Sequence, residues 1–153
     1  MRPSRMTAPV TASSDDLIRR YYQLYNERRI QEAAELFAPD AVLEHAPYGE
    51  PPAHGRAGYI ASAERSFVAF PDANLEVLGI RSHGESMYDV DLVATGTHLG
   101  VLDLGGYGRF EPTGLRVRVP HREVIEIRNG LIAYASVTLD VDSLLAQLNG
   151  RSR

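Results

Sequence analysis

Residues 115–140 read LRVRVPHREVIEIRNGLIAYASVTLD, two runs of alternating side chains joined by Asn129-Gly130. Asn-Gly between such runs predicts a two-residue type I′ hairpin, because that turn needs positive φ at both central positions. Such a turn implies a register. Arg128 faces Leu131, Ile127 faces Ile132, Ile125 faces Tyr134, Glu123 faces Ser136, His121 faces Thr138 and Val119 faces Asp140. Arg116, Arg118, Arg122, Glu126 and Arg128 share a face that can meet water, and Val117, Val119, His121, Glu123, Ile125 and Ile127 share the other. Pairing carries this second face across to Ile132, Tyr134, Ser136, Thr138 and Asp140. A largely apolar wall bearing an imidazole, two carboxyls, two hydroxyls and a phenol suits a pocket with a few convergent polar groups.

Around this hairpin the chain reads as one domain, residues 14–149, behind a flexible N-terminal tail, residues 1–13. Its 153 residues suffice for a real core. A net charge of −4 gives no basic footprint for nucleic acid and disfavours anionic membranes. No apolar run reaches spanning length, and the N-terminus lacks the apolar stretch of a signal peptide. The chain has no cysteine, which excludes disulfides, thiolate catalysis and cysteine-ligated metal. These features fit a cytoplasmic protein.

Helical spacing marks three N-terminal helices. The first is capped by Ser13 or Ser14 and carries the stripe Leu17, Ile18, Tyr21, Leu24 and Tyr25. The second runs from Ile30 to Phe37 and is closed by Pro39. The third spans about 57–70, after a loop over 46–55. Ala41 to His45 reads as a short strand. Strands follow at roughly 74–82, 86–98, 115–128 and 131–139, with a glycine-rich excursion over 100–114 and a closing helix over 140–148. Helices followed by a run of antiparallel strands indicate α+β. A strongly bent, mainly antiparallel sheet wrapped over three helices forms a cone-shaped barrel, whose interior is the natural ligand site.

Six motifs occur in order: FAPDAV (37–42), FPD (70–72), GTHLG (96–100), PTG (112–114), RNGLI (128–132) and LD…LLAQL (139–148). With them the chain resembles the SnoaL-like polyketide cyclase family, part of the fold group of nuclear transport factor two and ketosteroid isomerase. The resemblance spans Asp15 to Leu148. It implies a homodimer that needs neither cofactor nor metal and holds a hydrophobic, polyketide-like small molecule in the cone. It also implies intramolecular aldol cyclisation by a carboxylate, whose counterpart here is Glu123. Where many relatives carry a basic residue this chain has Asp91, and where they carry tryptophan it has Ser136, which implies a roomier, more polar cavity. The fold group also contains hydrolases, dehydratases and members without activity, and kinship does not choose among them.

Aldol closure needs a base for an acidic carbon and an acid for the carbonyl under attack. Glu123, mid-strand among Val119, Ile125 and Ile127, is the leading candidate, in a setting that favours a neutral carboxyl. His121, two residues away on the same face, can share its proton. Asp140 is both a candidate carboxyl and a natural N-cap for the last helix. A Glu123–Asp140 pair holding a water would instead support epoxide or ester hydrolysis or dehydration. His45, His98 and Tyr22 are candidate substrate contacts, together with Tyr134, Ser136 and Thr138 on the hairpin. For His98 a satisfied structural role at its strand end competes with that reading. His45, Glu50 and His54 flank the proline-rich loop, but their spacing matches no established zinc site. A passive ligand-binding or dimerisation module is the non-enzymatic alternative.

Overall fold

Asn129 and Gly130 adopt φ of 54° and 76°, the left-handed pair that a type I′ turn requires. They join β7 (Arg116–Arg128) to β8 (Leu131–Leu139). The computed structural model describes the backbone of residues 3–45 and 51–150, and side chains from Ser14 onward within those spans.

Beside the turn Arg128 pairs with Leu131 and Ile127 with Ile132, as the sequence implies. Beyond it the register slips by one. Glu126 pairs with Tyr134, Ile125 with Ala135, Glu123 with Val137 and His121 with Leu139. Ala133 is the extra residue, buried next to buried Ile132 instead of alternating toward water. A bulge of this kind turns the rest of the strand over. Ala135, Val137 and Leu139 therefore take the inner face, and Tyr134, Ser136 and Thr138 take the outer one. The physical reason is burial. A buried Val or Leu side chain contributes about 1.5–3 kcal/mol, against roughly 1 kcal/mol for a ladder hydrogen bond disrupted at the bulge.

The main sheet has six strands in the order β2 (Ala53–His54), β1 (Phe37–Glu44), β8, β7, β4 (Met87–Thr97) and β3 (Asn74–Ser82). β1 runs parallel to β8, and all other pairs are antiparallel. It is an open, curved sheet and not a closed barrel. Helices α1 (Pro3–Asn26), α2 (Ile30–Ala34) and α3 (Gly55–Ala69) pack on its inner face. Ile18, Tyr22 and Leu24 of α1 meet Val90, Leu92, Ile125 and Ile132 of the sheet. α4 (Val141–Leu148) closes a second cluster, with Leu144 and Leu148 against Val117 and Val119. No helix among the described residues is long and apolar enough to cross a membrane.

Three boundaries differ from the sequence reading. α1 begins at Pro3, so neither Ser13 nor Ser14 starts it, and Ser14 is buried. Phe37 belongs to β1 and not to the second helix; Pro39, which offers no N–H, lies where the β1–β8 register is broken between Phe37 and Val42. The excursion contains a small ribbon, β5 (Leu102–Asp103) with β6 (Arg109–Phe110), around a 3-10 turn at Gly105–Tyr107.

Three of the sequence motifs meet in space. The Asp72 carboxylate accepts the Thr97 N–H at 2.6 Å and the Thr97 hydroxyl at 2.8 Å. His98 N–H donates to the Leu115 carbonyl at 2.9 Å, and Gly114 N–H donates to the His98 carbonyl at 2.8 Å. Both Leu99 and Gly100 donate to the Ala69 carbonyl, at 3.0 and 3.2 Å. FPD, GTHLG and PTG thus form one knot that fixes the end of α3 to the end of β4 and sets where the ribbon begins.

Candidate active site

A cavity of about 380 Å³ lies between the inner face of the sheet, α1, α3 and the ribbon. β7 contributes Val117, Val119, His121 and Glu123, and β8 contributes Val137 and Leu139. α1 adds Tyr21 and Tyr25, α3 adds Tyr59, Ser62 and Ser66, and the ribbon side adds Val101 to Leu104. The size and mostly apolar lining suit one small organic molecule.

His121 and Glu123 stand side by side because strand residues two apart share a face. The His121 Nε2 lies 3.1 Å from Glu123 Oε2, and Glu123 is only 2% exposed. Burying a carboxylate without a partner would cost several kcal/mol, roughly, and His121 supplies that partner. With the carboxylate ionised, Nε2 carries the shared proton. Nδ1 and the Tyr59 hydroxyl are buried without a hydrogen-bond partner, and the buried Tyr22 hydroxyl meets Glu123. Native interiors rarely leave polar atoms unpaired. The unpaired Nδ1 therefore marks the pair as a place built to meet a polar group.

The phenols are held neutral. Burial, and after it the charge of Glu123, pushes the pKa of Tyr21 and of Tyr22 well above the ordinary phenol value. Tyr59 is raised chiefly by burial, with Tyr25 and Glu123 adding to the effect. Tyr25 donates to or accepts from the Ser66 hydroxyl at 2.8 Å.

The other expected contacts divide. His45 lines the cavity, with Nε2 3.2 Å from the Ser62 hydroxyl. Tyr22 lies behind the wall, 1% exposed, and meets Glu123 there without lining the main cavity. Tyr134, Ser136 and Thr138 are corrected: the Ala133 bulge puts them on the outer face. There the Tyr134 hydroxyl donates to Glu44 at 2.5 Å, and Thr138 is exposed. Glu50 lies outside the described residues, and among those described no three metal-ligating side chains converge.

Asp140 is likewise corrected. It is exposed, and its Oδ1 accepts the Ser143 N–H at 3.0 Å, capping α4 outside the cavity lining. Asp140→Ala is expected to cost about 1 kcal/mol, a fall of about 2–4 °C in Tm, with turnover unchanged. Thermal melts and a rate assay on the same sample check both.

His98 serves the knot and does not line the cavity. It is fully buried, and its Nδ1 accepts the Thr113 N–H at 3.2 Å, placing any proton of the neutral ring on Nε2. Burial lowers its pKa, partly opposed by backbone hydrogen bonding at Gly100 and Phe110. The unfolded chain therefore takes up this proton first as pH falls. The stability contributed by neutral His98 is complete above the unfolded value, about 6.5, and is lost as pH drops from there toward the folded one. The Tm difference between wild type and His98→Gln should accordingly narrow between pH 7.5 and pH 5, as melts across that range would show.

Sequence reading missed Tyr59 and Ser62. Both lie on α3, where Tyr59 and Ala63, four apart, are buried.

A comparison with curated protein sequences found no match. Solved structures do match. IdmH of Streptomyces antibioticus, a candidate polyketide cyclase, is 26% identical, with 88% of this chain and 97% of that one covered and a TM-score of 0.73. AclR of Streptomyces galilaeus, a candidate hydroxylase, is 22% identical over 91% of this chain and 82% of its own, with a TM-score of 0.74. A Catenulispora acidiphila protein with a ketosteroid isomerase-like fold, in complex with trimethylamine, is 15% identical over 87% and 92%, with a TM-score of 0.71. The family model for the SnoaL-like domain matches residues 18–135, from the first helix into β8 and across the hairpin that carries the buried pair. By that match, the chain belongs to the SnoaL-like family.

Proposed function

We propose that this protein is a cofactor-free acid/base enzyme acting on a polyketide-like small molecule, by aldol ring closure or a related proton transfer. The observation that carries the reading is the buried His121–Glu123 pair on the wall of an apolar cavity. In this reading the Glu123 carboxylate removes a proton from a carbon between carbonyls. The carbon attacks a second carbonyl of the same molecule, a C–C bond forms, and the proton returns to the new alkoxide. His121 holds one carboxylate oxygen and so fixes the orientation of the carboxylate. His45 and Ser62 supply polar contacts nearer the rim. IdmH, a candidate polyketide cyclase, supports this choice of chemistry.

Hydrolysis or dehydration through a Glu123–Asp140 pair has less support, since Asp140 caps α4 away from the cavity. A passive binding module would suit a filled cavity or a solvent-facing Glu123, and neither describes this chain. The reading takes the protein to be a homodimer, which light scattering would test. The deciding experiment incubates a panel of polyketide methyl esters with wild type and Glu123→Gln and follows ring formation by absorbance. New chromophores lost in the variant support the proposal. Spectral shifts without product in either protein would favour the passive module.

A further inference from the structure

We propose that the Tyr59 hydroxyl is a second catalytic group of this cavity, the donor that holds the substrate's carbonyl oxygen while negative charge develops on it. The inference rests on the reading of Glu123 as base and extends it to a residue on a different element.

Tyr59 lies on α3, lines the cavity and is 3% exposed. Its ring stacks on Phe37, with centroids 4.7 Å apart and planes at 25°, and lies 5.7 Å from the Tyr21 ring. That packing would serve a phenylalanine equally well. The hydroxyl is what packing does not explain, because it is buried with no hydrogen-bond partner. An unpaired buried hydroxyl costs about 1–3 kcal/mol, so a tyrosine here is a stability loss unless something enters the cavity to accept its proton.

The other cavity phenols are placed differently. Tyr25 is engaged with Ser66, Tyr22 sits behind the wall against Glu123, and Tyr21 lines the cavity but is not among the phenols with a buried, unpartnered hydroxyl. Among the described tyrosines Tyr59 alone combines a place in the lining with a buried, unpartnered hydroxyl. Its raised pKa keeps the phenol protonated at neutral pH, so it is a donor and not a second base. The charge of Glu123 adds to that rise, and both residues line the same cavity.

Base and donor together define the substrate class. It is a ketone or ester with an acidic α C–H, able to become a planar enolate. Glu123 takes the proton, the C–H electron pair moves onto the carbonyl oxygen, and that oxygen accepts the Tyr59 hydrogen bond without receiving the phenol proton. When the enolate carbon forms its new C–C bond the C=O returns and the hydrogen bond relaxes. Glu123 then gives its proton to the new alkoxide, and no co-reactant is needed. A preorganised donor in a dry site acts where charge appears, which is why it lowers the barrier and not merely KM.

Tyr59→Phe in the full chain tests this. Removing an unpartnered hydroxyl should leave Tm unchanged or slightly higher, so the variant stays folded. For ring closure, kcat should fall about 10²–10³-fold, as for loss of one oxyanion donor, with KM within a few-fold. Binding of 2-naphtholate, a planar enolate mimic, is read by fluorescence at an alkaline pH where the free probe is ionised, with Glu123→Gln as the parent, so that no carboxylate repels the anion. There Tyr59→Phe should weaken Kd about tenfold, roughly one charge-assisted hydrogen bond. Unchanged naphtholate affinity on adding Tyr59→Phe, or no naphtholate binding by the parent, overturns the inference. A naphtholate affinity that depends on Tyr59, beside full turnover by Glu123→Gln, would keep the donor and remove Glu123 as base.

Discussion

Glu123→Gln is expected to lower kcat for ring closure by about 10²–10⁴-fold, the usual contribution of a positioned acid/base group, while the protein stays folded. Glutamine matches glutamate in shape. Its carbonyl oxygen can still accept from His121 Nε2, 3.1 Å from Oε2 in the native pair. The substitution therefore removes the proton acceptor and leaves the wall intact. Exchanging a buried charge for a neutral amide is close to neutral or favourable for stability, so Tm should hold within a few degrees. A second readout reports the charge itself. Glu123 raises the pKa of Tyr21 and Tyr22, after burial. In the variant these phenols should ionise at lower pH than in wild type, as an absorbance titration at alkaline pH would record. Unchanged kcat would remove Glu123 from the mechanism. Lost activity together with a collapsed melt would mean the carboxylate holds the fold instead.

The inner face of β7 was legible in the sequence because nothing interrupts its alternation from Val117 to Ile125. That run placed His121 and Glu123 together without any structure. β8 was only half legible. Its register follows the Asn-Gly turn for two pairs and then slips at Ala133, where Leu131, Ile132 and Ala133 form an unbroken apolar run with no glycine to mark the bulge. A single inserted residue reverses every later side chain, which is how Ser136, Thr138 and Tyr134 came to be expected beside Glu123. The motifs GTHLG, PTG and FPD point to the family for a reason other than chemistry. They build the knot that anchors α3 to β4, so His98, a titratable residue within such a motif, proves structural. Tyr59 was hidden for the opposite reason. It belongs to no motif, and an aromatic residue on a helix reads as core until its unpaired hydroxyl is seen.

Among the described glycines, Gly100→Ala should be the most damaging alanine substitution. A Cβ there would sit 1.9 Å from the Val68 carbonyl oxygen and 2.8 Å from its carbon, both backbone atoms that no rotamer change can move. Nor can the segment retreat. Leu99 and Gly100 both donate to the Ala69 carbonyl, and His98 is held on both its backbone groups by Leu115 and Gly114. Overpacking ordinarily costs about 1–3 kcal/mol where the surroundings can give, and here the cost should reach at least the top of that range. At about 2–4 °C per kcal/mol for a domain of this size, Tm should fall by at least roughly 6–12 °C. The effect should also reach the site, because Val101 to Leu104 follow directly and line the cavity. Gly106, on the ribbon's turn, is the control: a Cβ there meets nothing within 4 Å. Gly106→Ala should leave Tm within about 2 °C, as surface changes of under 0.5 kcal/mol do. Both glycines belong to the same glycine-rich excursion, so composition treats them alike. If the two variants melted together, the close approach of the α3 end to this loop would be wrong, and with it the position of the ribbon over the cavity. A large fall at Gly100 alone would show that the backbone contact, and not loop flexibility, is what requires glycine there.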